Sequence, residues 1–281
     1  MFFHMLMLLK YLPRNLISLC AGIAMHFRLP YFLKVFSIET FAKMYQINIA
    51  EAEKPIEEYT SIGDFFVRRL KRGARPLAMT EVVHPADSKL TAFRAIENGE
   101  LVQVKGQHYK VDAIAANLQA TQYYQDGFFT TYYLCPTDYH RVHSPVAGRI
   151  LSVTHVPGDL WPVHDKSVAS IENLFGINER VIIRIETFRG VISVIFVGAL
   201  NVGKIELDFE PSVSTNNLKD RALRFIKYPV GISIEKGVEL GMFRMGSTVV
   251  VLYPKSYRDV AKIEEKISLI GSKIKVNSAF F

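Results

Sequence analysis

From about residue 80 onward the chain is written in short apolar runs rich in β-branched and aromatic residues: Phe128–Leu134, Arg149–Val156, Val181–Thr187, Val191–Val197, Val202–Phe209 and Thr248–Tyr253. Runs of that length, bounded by turn-forming residues, predict strands. In one of them Lys204, Glu206 and Asp208 alternate with Ile205, Leu207 and Phe209, the two-residue period of a half-buried strand. Thr187-Phe188-Arg189-Gly190, set between two apolar runs, predicts a tight hairpin.

Two longer segments, Gly148–Val163 and Gly231–Val250, each carry apolar residues around a glycine turn, Pro157-Gly158-Asp159 and Glu235-Lys236-Gly237. They resemble the hairpins of lipoyl- and biotin-carrier domains. A carrier presents its lysine at the hairpin tip, and the first tip has none, so the pattern implies a shared β-architecture and not a carrier function.

Residues 1–50 follow another rule. Two apolar stretches, Met1–Leu9 and Leu16–Met25, are stopped by Lys10, Pro13 and Arg14 and by His26 and Arg28. Neither reaches the roughly 20 residues that a bilayer crossing needs, so no transmembrane helix is expected. In a secretory signal the basic region precedes the apolar run, whereas Lys10 and Arg14 follow it, so the segment is expected to be retained. Leu29, Phe32, Leu33, Phe36, Phe41, Met44 and Tyr45 recur at helical spacing, with Glu39 and Lys43 as an i,i+4 pair on the other face, which predicts an amphipathic helix. The fold expected is α+β: a mostly antiparallel β core with lipoyl-like hairpins, preceded by N-terminal amphipathic helices that associate with a membrane. The expected division is a membrane-associating helical segment, 1–62, and a β-rich catalytic domain, 63–281.

Composition sharpens this picture. With 281 residues, 49% hydrophobic and 22% charged, the chain can bury a full core, which excludes disorder and a disulfide-stapled miniature. The net charge is +7, and residues 1–50 alone hold five basic residues and one acid. Charge concentrated where the hydrophobicity is, in a chain of mean hydropathy +0.14 and pI about 9.3, points to an anionic membrane surface. Arg68, Arg69, Lys71, Arg72 and Arg75 add five cations within eight residues to the same expectation. No helix-turn-helix, zinc-finger or aromatic RNA-binding signature accompanies them, so nucleic acid is not the expected partner. Cys20 and Cys135 are too few for a disulfide framework or a thiolate zinc site, which suits a reducing compartment.

Three spots carry candidate chemistry. His84-Pro85-Ala86-Asp87-Ser88 places an acid after a proline-fixed turn, Tyr139-His140-Arg141-Val142-His143-Ser144-Pro145 places two histidines three apart, and Arg244-Met245-Gly246-Ser247-Thr248 leads into a strand. Taken together, Asp87, His143 and Ser247 compose a charge-relayed nucleophile: the acid orients the imidazole, the imidazole takes the hydroxyl proton, and the serine attacks a carbonyl. Met245 and Val249 stand where a nucleophile elbow has glycines, so the lipase-type turn is absent. The serine instead follows Gly246, whose own carbonyl is unhindered and is the natural target. Three readings stand beside self-cleavage: a membrane-associated serine hydrolase using Asp87, His143 and Ser247, a metallohydrolase with His140, His143 and Asp87 as ligands, and a non-catalytic membrane-binding β-module.

Pro85-Ala86-Asp87, Asp138-Tyr139-His140-Arg141-Val142-His143-Ser144-Pro145 and Met245-Gly246-Ser247-Thr248 together resemble the phosphatidylserine decarboxylases, of the bacterial membrane-bound proenzyme type. The likeness extends through Phe65-Phe66-Val67-Arg68, Arg75-Pro76, Lys105-Gly106 with Tyr109, Val156-Pro157-Gly158-Asp159-Leu160, Asn178-Glu179-Arg180 and Val197-Gly198-Ala199, nearly the whole chain. That family usually has Leu where Met245 stands and Gly where Ser88 stands. The resemblance implies that Ser247 attacks the Gly246 carbonyl, that the ester so formed undergoes β-elimination with His143 as base, and that the new N-terminus becomes a covalent pyruvoyl group. It implies a β chain 1–246 and an α chain 247–281 that stay together as a heterodimer, with room for a higher oligomer, and no metal. It further implies that phosphatidylserine forms a Schiff base with the pyruvoyl group on Ser247 and loses CO2 to give phosphatidylethanolamine, with His140 as candidate proton donor. The place of work it implies is the cytoplasmic face of the cell membrane, held peripherally.

Overall fold

All but one of the apolar runs become strands of one large sheet; the run 202–209 supplies a strand of a smaller one. The computed structural model describes residues 12–102, 108–200, 204–218, 221–244, 248–261 and 269–280. Its strands are β1 (Ser88–Ala95), β2 (Glu100–Val102), β3 (His108–Lys110), β4 (Phe128–Tyr133), β5 (Arg141–His143), β6 (Gly148–Val156), β7 (Arg180–Thr187), β8 (Gly190–Val197), β9 (Ile205–Leu207), β10 (Arg224–Ile234), β11 (Glu239–Phe243), β12 (Thr248–Tyr253) and β13 (Lys273–Ile274). Eight of them form an antiparallel sheet in the order β10-β6-β7-β8-β12-β4-β1-β13, and β5-β11-β9 form a smaller one. The class is α+β, with an antiparallel core.

The middle of the large sheet is covered on both faces, which is why β8 and β12 read as continuous apolar runs and not as alternations. Every residue from Thr248 to Tyr253 is buried. In β9, by contrast, Ile205 and Leu207 point inward while Glu206 is half-buried, as the alternation predicts. The β7–β8 hairpin turns through Phe188 and Arg189, with Thr187 paired to Gly190 and its hydroxyl donating to the Gly190 carbonyl. Gly190 supplies the positive φ of 113° that this turn requires.

The two lipoyl-like hairpins do not form. After Pro157-Gly158-Asp159 the chain runs on to Asn178 in an isolated parallel bridge, and β6 takes β7 and β10 as its neighbours. The turn at Glu235-Lys236-Gly237 separates β10 of the large sheet from β11 of the small one. Its backbone groups are taken by Ser144, which accepts from Gly237 N and donates to Val238 O, so the turn carries the chain between sheets and closes nothing. A glycine turn shows where a chain reverses but not which strands it joins.

Gly158 is small because another chain segment passes over it: a Cβ there would lie 2.5 Å from Ile177 O and 2.6 Å from Glu179 N. Asn178, Glu179 and Arg180 knit this crossing together. Asn178 bonds Trp161 and Gly198, Glu179 accepts from His155 Nε2 and the Asn216 N–H, and the buried Arg180 guanidinium donates to the carbonyls of Ala113, Ile114 and Gly176. Gly158→Ala is expected to lower the unfolding free energy by about 1–3 kcal/mol, the usual range for overpacking, as urea denaturation followed by circular dichroism measures it.

Helices α1 (Arg14–Met25) and α2 (Tyr31–Met44) precede the sheets, and α3 (Ile62–Phe66) follows them closely. The predicted apolar face of α2 is not the buried one. Phe32 is 84% exposed and Phe36 67%, while Ile38 and Ala42 are buried in a small separate core with Ile47, Ile56, Tyr59 and Phe65. The helix is apolar around most of its circumference, so its spacing cannot single out one face, and a simple amphipathic helix is not what forms. Met1–Leu9 lies outside the described residues. Among the described residues no helix is long and apolar enough to cross a membrane. On α1, Arg14 binds Asp159 at 2.5 Å and stacks on Trp161, fixing that helix to the crossing at Gly158.

Candidate active site

Strand β5 is the spine of the site. On one side the His143 N–H donates to the Pro85 carbonyl at 2.8 Å, which brings the 84–88 turn against it. On the other side β11 pairs with β5, and the Phe243 N–H donates to the His140 carbonyl at 3.0 Å. Beyond Phe243 the small sheet ends, and the chain re-enters the large sheet at Thr248, between β8 and β4. Met245, Gly246 and Ser247 lie outside the described residues, as does Lys105-Gly106. The described residues on either side leave buried polar atoms without partners: Arg244 Nε before the segment and Thr248 Oγ1 after it.

His143 is fixed at both ring nitrogens. Its Nδ1 meets the Gly237 carbonyl at 2.7 Å and its Nε2 meets the Tyr139 hydroxyl at 3.2 Å. With Nδ1–H donated to a carbonyl, Nε2 holds the lone pair and accepts from Tyr139. Burial lowers the pKa of this imidazole below its ordinary value, against the bond to Gly237 and the charge of Glu239. At neutral pH it is therefore an uncharged base.

Asp87 is buried and heavily engaged. Arg75 donates to it through Nε at 2.9 Å and Nη2 at 2.6 Å, the Val276 N–H donates at 2.8 Å, and Lys275 Nζ stands 3.6 Å away. Arg75 also holds Glu51, whose pKa that bond lowers. Among the described residues no hydrogen bond joins Asp87 to His143; the acid acts on the imidazole through space. Ser88 begins β1 with its hydroxyl donated to the Ala86 carbonyl, and its φ is not positive, so this turn does not need glycine.

His140 is fully buried, with Nδ1 on the Asp138 carbonyl at 2.8 Å, Phe66 packed 4.1 Å from its ring, and Nε2 without a partner. Burial, above all, and the nearby Arg68 charge push its pKa down to about 3. A histidine that folds neutral and unfolds protonatable costs stability as pH falls. Between its ordinary value near 6.5 and about 3, the unfolded state binds one more proton, so stability falls by about 1.4 kcal/mol per pH unit. The expected result is an unfolding temperature that drops on acidification below pH 6.5, less steeply in His140→Gln, as a calorimetric pH series measures it.

The basic run predicted to face a membrane is divided. Lys71 and Arg72 are exposed, but Arg75 is turned onto Asp87 and Glu51, Arg69 reaches Glu239, and Arg68 is buried. The acids that draw these cations in lie elsewhere in the chain. A cleft of about 310 Å³ opens over the site, lined by Glu53, Arg69, Lys71, Arg75, Tyr139 and His143 among others. Among the described residues no three His, Cys, Asp or Glu donors converge at metal-ligating positions. His140, His143 and Asp87 each face a different partner, so the donor geometry does not favour the metallohydrolase reading. Arg75, Tyr139 and Gly237 stand in a basic run, the histidine motif and a glycine turn, but their roles were not read from the sequence: Arg75 and Gly237 act across the fold, and Tyr139 reaches His143 only because of the local backbone course.

Comparison with known proteins adds the family. The model of the family described as phosphatidylserine decarboxylase matches residues 62–278. A phosphatidylserine decarboxylase proenzyme of Myxococcus xanthus (strain DK1622) is 34% identical over 273 residues, 96% of each chain. Those of Anaeromyxobacter sp. (strain K) and Methylobacillus flagellatus are 37% and 38% identical, over 87% of each chain for the first and 88% of this chain for the second.

Proposed function

The chain belongs to the phosphatidylserine decarboxylase family, and on that premise we propose that it converts phosphatidylserine to phosphatidylethanolamine and CO2 at an anionic membrane surface, using a pyruvoyl group made from its own Ser247. The observation that carries this reading is the family match over most of the chain, joined to a neutral, half-buried imidazole at His143.

The residues present fit such a group. Buried Thr248 Oγ1, Arg244 Nε and His140 Nε2 are all left without partners around the place where β11 hands over to β12. Once formed, the pyruvoyl ketone supplies the electron sink that a protein side chain lacks. In self-cleavage, His143 Nε2 accepts the Ser247 hydroxyl proton as the oxygen adds to the Gly246 carbonyl, and hands it to the Ser247 nitrogen as the Gly246–Ser247 C–N bond breaks, which leaves an ester, a free amine and a neutral His143. The same base then removes the Ser247 α-proton and the Gly246 carboxylate leaves; the dehydroalanine that remains tautomerises to an imine, adds water and releases ammonia, which leaves the ketone. Asp87 steadies the positive charge that His143 acquires. His140 presents a lone pair at Nε2, so it must first take up the proton that it later delivers. The substrate ammonium must lose one to react, and His140 accepts it there and returns it to the carbon that has lost CO2. The division into a membrane-associating segment 1–62 and a catalytic domain 63–281, and a heterodimer of chains 1–246 and 247–281, belong to the same reading.

Incubation of the purified protein with phosphatidylserine vesicles tests it: phosphatidylethanolamine and CO2 are expected, and release of fatty acid without CO2 would favour the serine hydrolase instead. Peripheral attachment is supported by the outward aromatic side chains Phe27, Phe32 and Phe36, each more than half exposed, and the cytoplasmic face belongs to the same reading. Phe32→Ser with Phe36→Ser is expected to weaken sedimentation with anionic vesicles at least about tenfold while leaving the unfolding temperature unchanged, since a buried Phe contributes about 1.5–3 kcal/mol.

A further inference from the structure

Arg68 follows α3 and turns into the protein, where only 5% of it is exposed. Neither Nε nor Nη1 has a hydrogen-bond partner. Its guanidinium lies 5.2 Å from the Phe65 ring centroid, and burial holds its pKa below that of an ordinary arginine. The nearby carboxylates, Asp87 and Glu51, are both bonded by Arg75 and not by Arg68. A cation taken out of water with no hydrogen-bonded counter-charge costs several kcal/mol. Two of its nitrogens, with three N–H groups between them, are unused, and Phe66, two residues before Arg68, packs against the ring of His140, whose Nε2 is also unpartnered. The Val67 carbonyl accepts from Arg141 Nε at 2.8 Å, which anchors this stretch of chain to β5.

Resting on the decarboxylase reading, we propose that Arg68 is the anion subsite that receives the phosphodiester of the lipid headgroup, with Nε and Nη1 donating to its oxygens. The substrate offers two anions, and the chemistry chooses between them. A cation on the carboxylate is held most strongly before the bond breaks, because that charge leaves the carboxylate as CO2 forms. It would stabilise reactant over transition state and slow the reaction. The phosphodiester keeps its charge throughout, so holding it orients the headgroup without opposing the chemistry. A headgroup held at Arg68 lies beside His140, where the proton is needed.

The test is calorimetric binding of glycerophosphoethanolamine, which carries the phosphodiester and no carboxylate, to the purified full-length protein and to its Arg68→Met and Arg68→Lys variants. Arg68→Met is expected to bind about 10- to 100-fold more weakly, with Arg68→Lys between. Binding of free serine, which has the carboxylate and no phosphate, is expected to stay unchanged. The unfolding temperature of Arg68→Met should be unchanged or raised, because an uncompensated buried charge has gone. Undiminished glycerophosphoethanolamine affinity in Arg68→Met, or a loss confined to serine, overturns the subsite. Inorganic phosphate binding as tightly as glycerophosphoethanolamine overturns its assignment to the headgroup. A lowered unfolding temperature in Arg68→Met that Arg68→Lys restores makes the residue structural and overturns the proposal as well. Decarboxylation by the unaltered protein, measured alongside, keeps the two readings apart: its absence contradicts the function, whereas an active protein with an unaffected Arg68→Met contradicts the subsite alone.

Discussion

Ser247→Ala is expected to give a single chain of 281 residues whose decarboxylation is at background, at least about 10³-fold below the unaltered protein. Both losses have one cause. Without the hydroxyl there is no nucleophile for the Gly246 carbonyl, the peptide stays intact, and no ketone forms. A hydrolase using the same serine would lose its activity too, but its unaltered form would already be uncut. Denaturing electrophoresis together with a CO2-release assay therefore separates the two.

The second large effect distinguishes the two histidines. His143→Ala is expected to slow self-cleavage by about 10²–10⁴-fold, because the serine hydroxyl then lacks its base. His140→Ala is expected to be cut, yet to decarboxylate about 10²–10⁴-fold more slowly, because its proton transfers come after the chain has been divided. Time courses of processing after synthesis, followed by turnover of the processed fraction, check both. An uncut His140→Ala would move that residue into the cleavage step, and normal processing of His143→Ala would remove it from that step. The neutral state of both imidazoles sets a further condition. Because burial lowers the His143 pKa, cleavage should hold its rate on acidification past pH 6.5 and fall only below it.

Much of this was legible in the chain, and the exceptions share a physical cause. The predicted strands Phe128–Leu134, Arg149–Val156, Val181–Thr187, Val191–Val197 and Thr248–Tyr253 form within about a residue of their expected ends, because short β-branched and aromatic runs bounded by turn residues mark strands whether one face is covered or both. Strand β10 escaped notice: Pro229 and Gly231 interrupt it, its register with β6 breaks between Lys227 and Ile232, and most of it is exposed at the sheet edge. Of the small sheet only β9 showed itself, through the alternation of residues 204–209, while the three-residue β5 is too short to show a period.

Charge was misread where partners are distant in sequence. Arg75 finds Asp87 twelve residues away and Glu51 twenty-four away, so a run that reads as a solvated basic patch is partly folded into the site. For the site itself, residue types suggested Asp87, His143 and Ser247, and the ordered motifs of the family made that choice specific. What no motif revealed is that the Nδ1–H of His143 goes to the Gly237 carbonyl, a contact made only because the 235–238 turn crosses from one sheet to the other.

If the protein makes its own reactive carbonyl by cutting itself at Gly246-Ser247, the intact mass of the purified, active protein shows it. Two chains are predicted, one spanning 1–246 with an ordinary carboxyl end and one spanning 247–281 whose first residue is a pyruvoyl group, blocked to stepwise degradation. Fully active protein that consists only of the uncut chain would contradict the account.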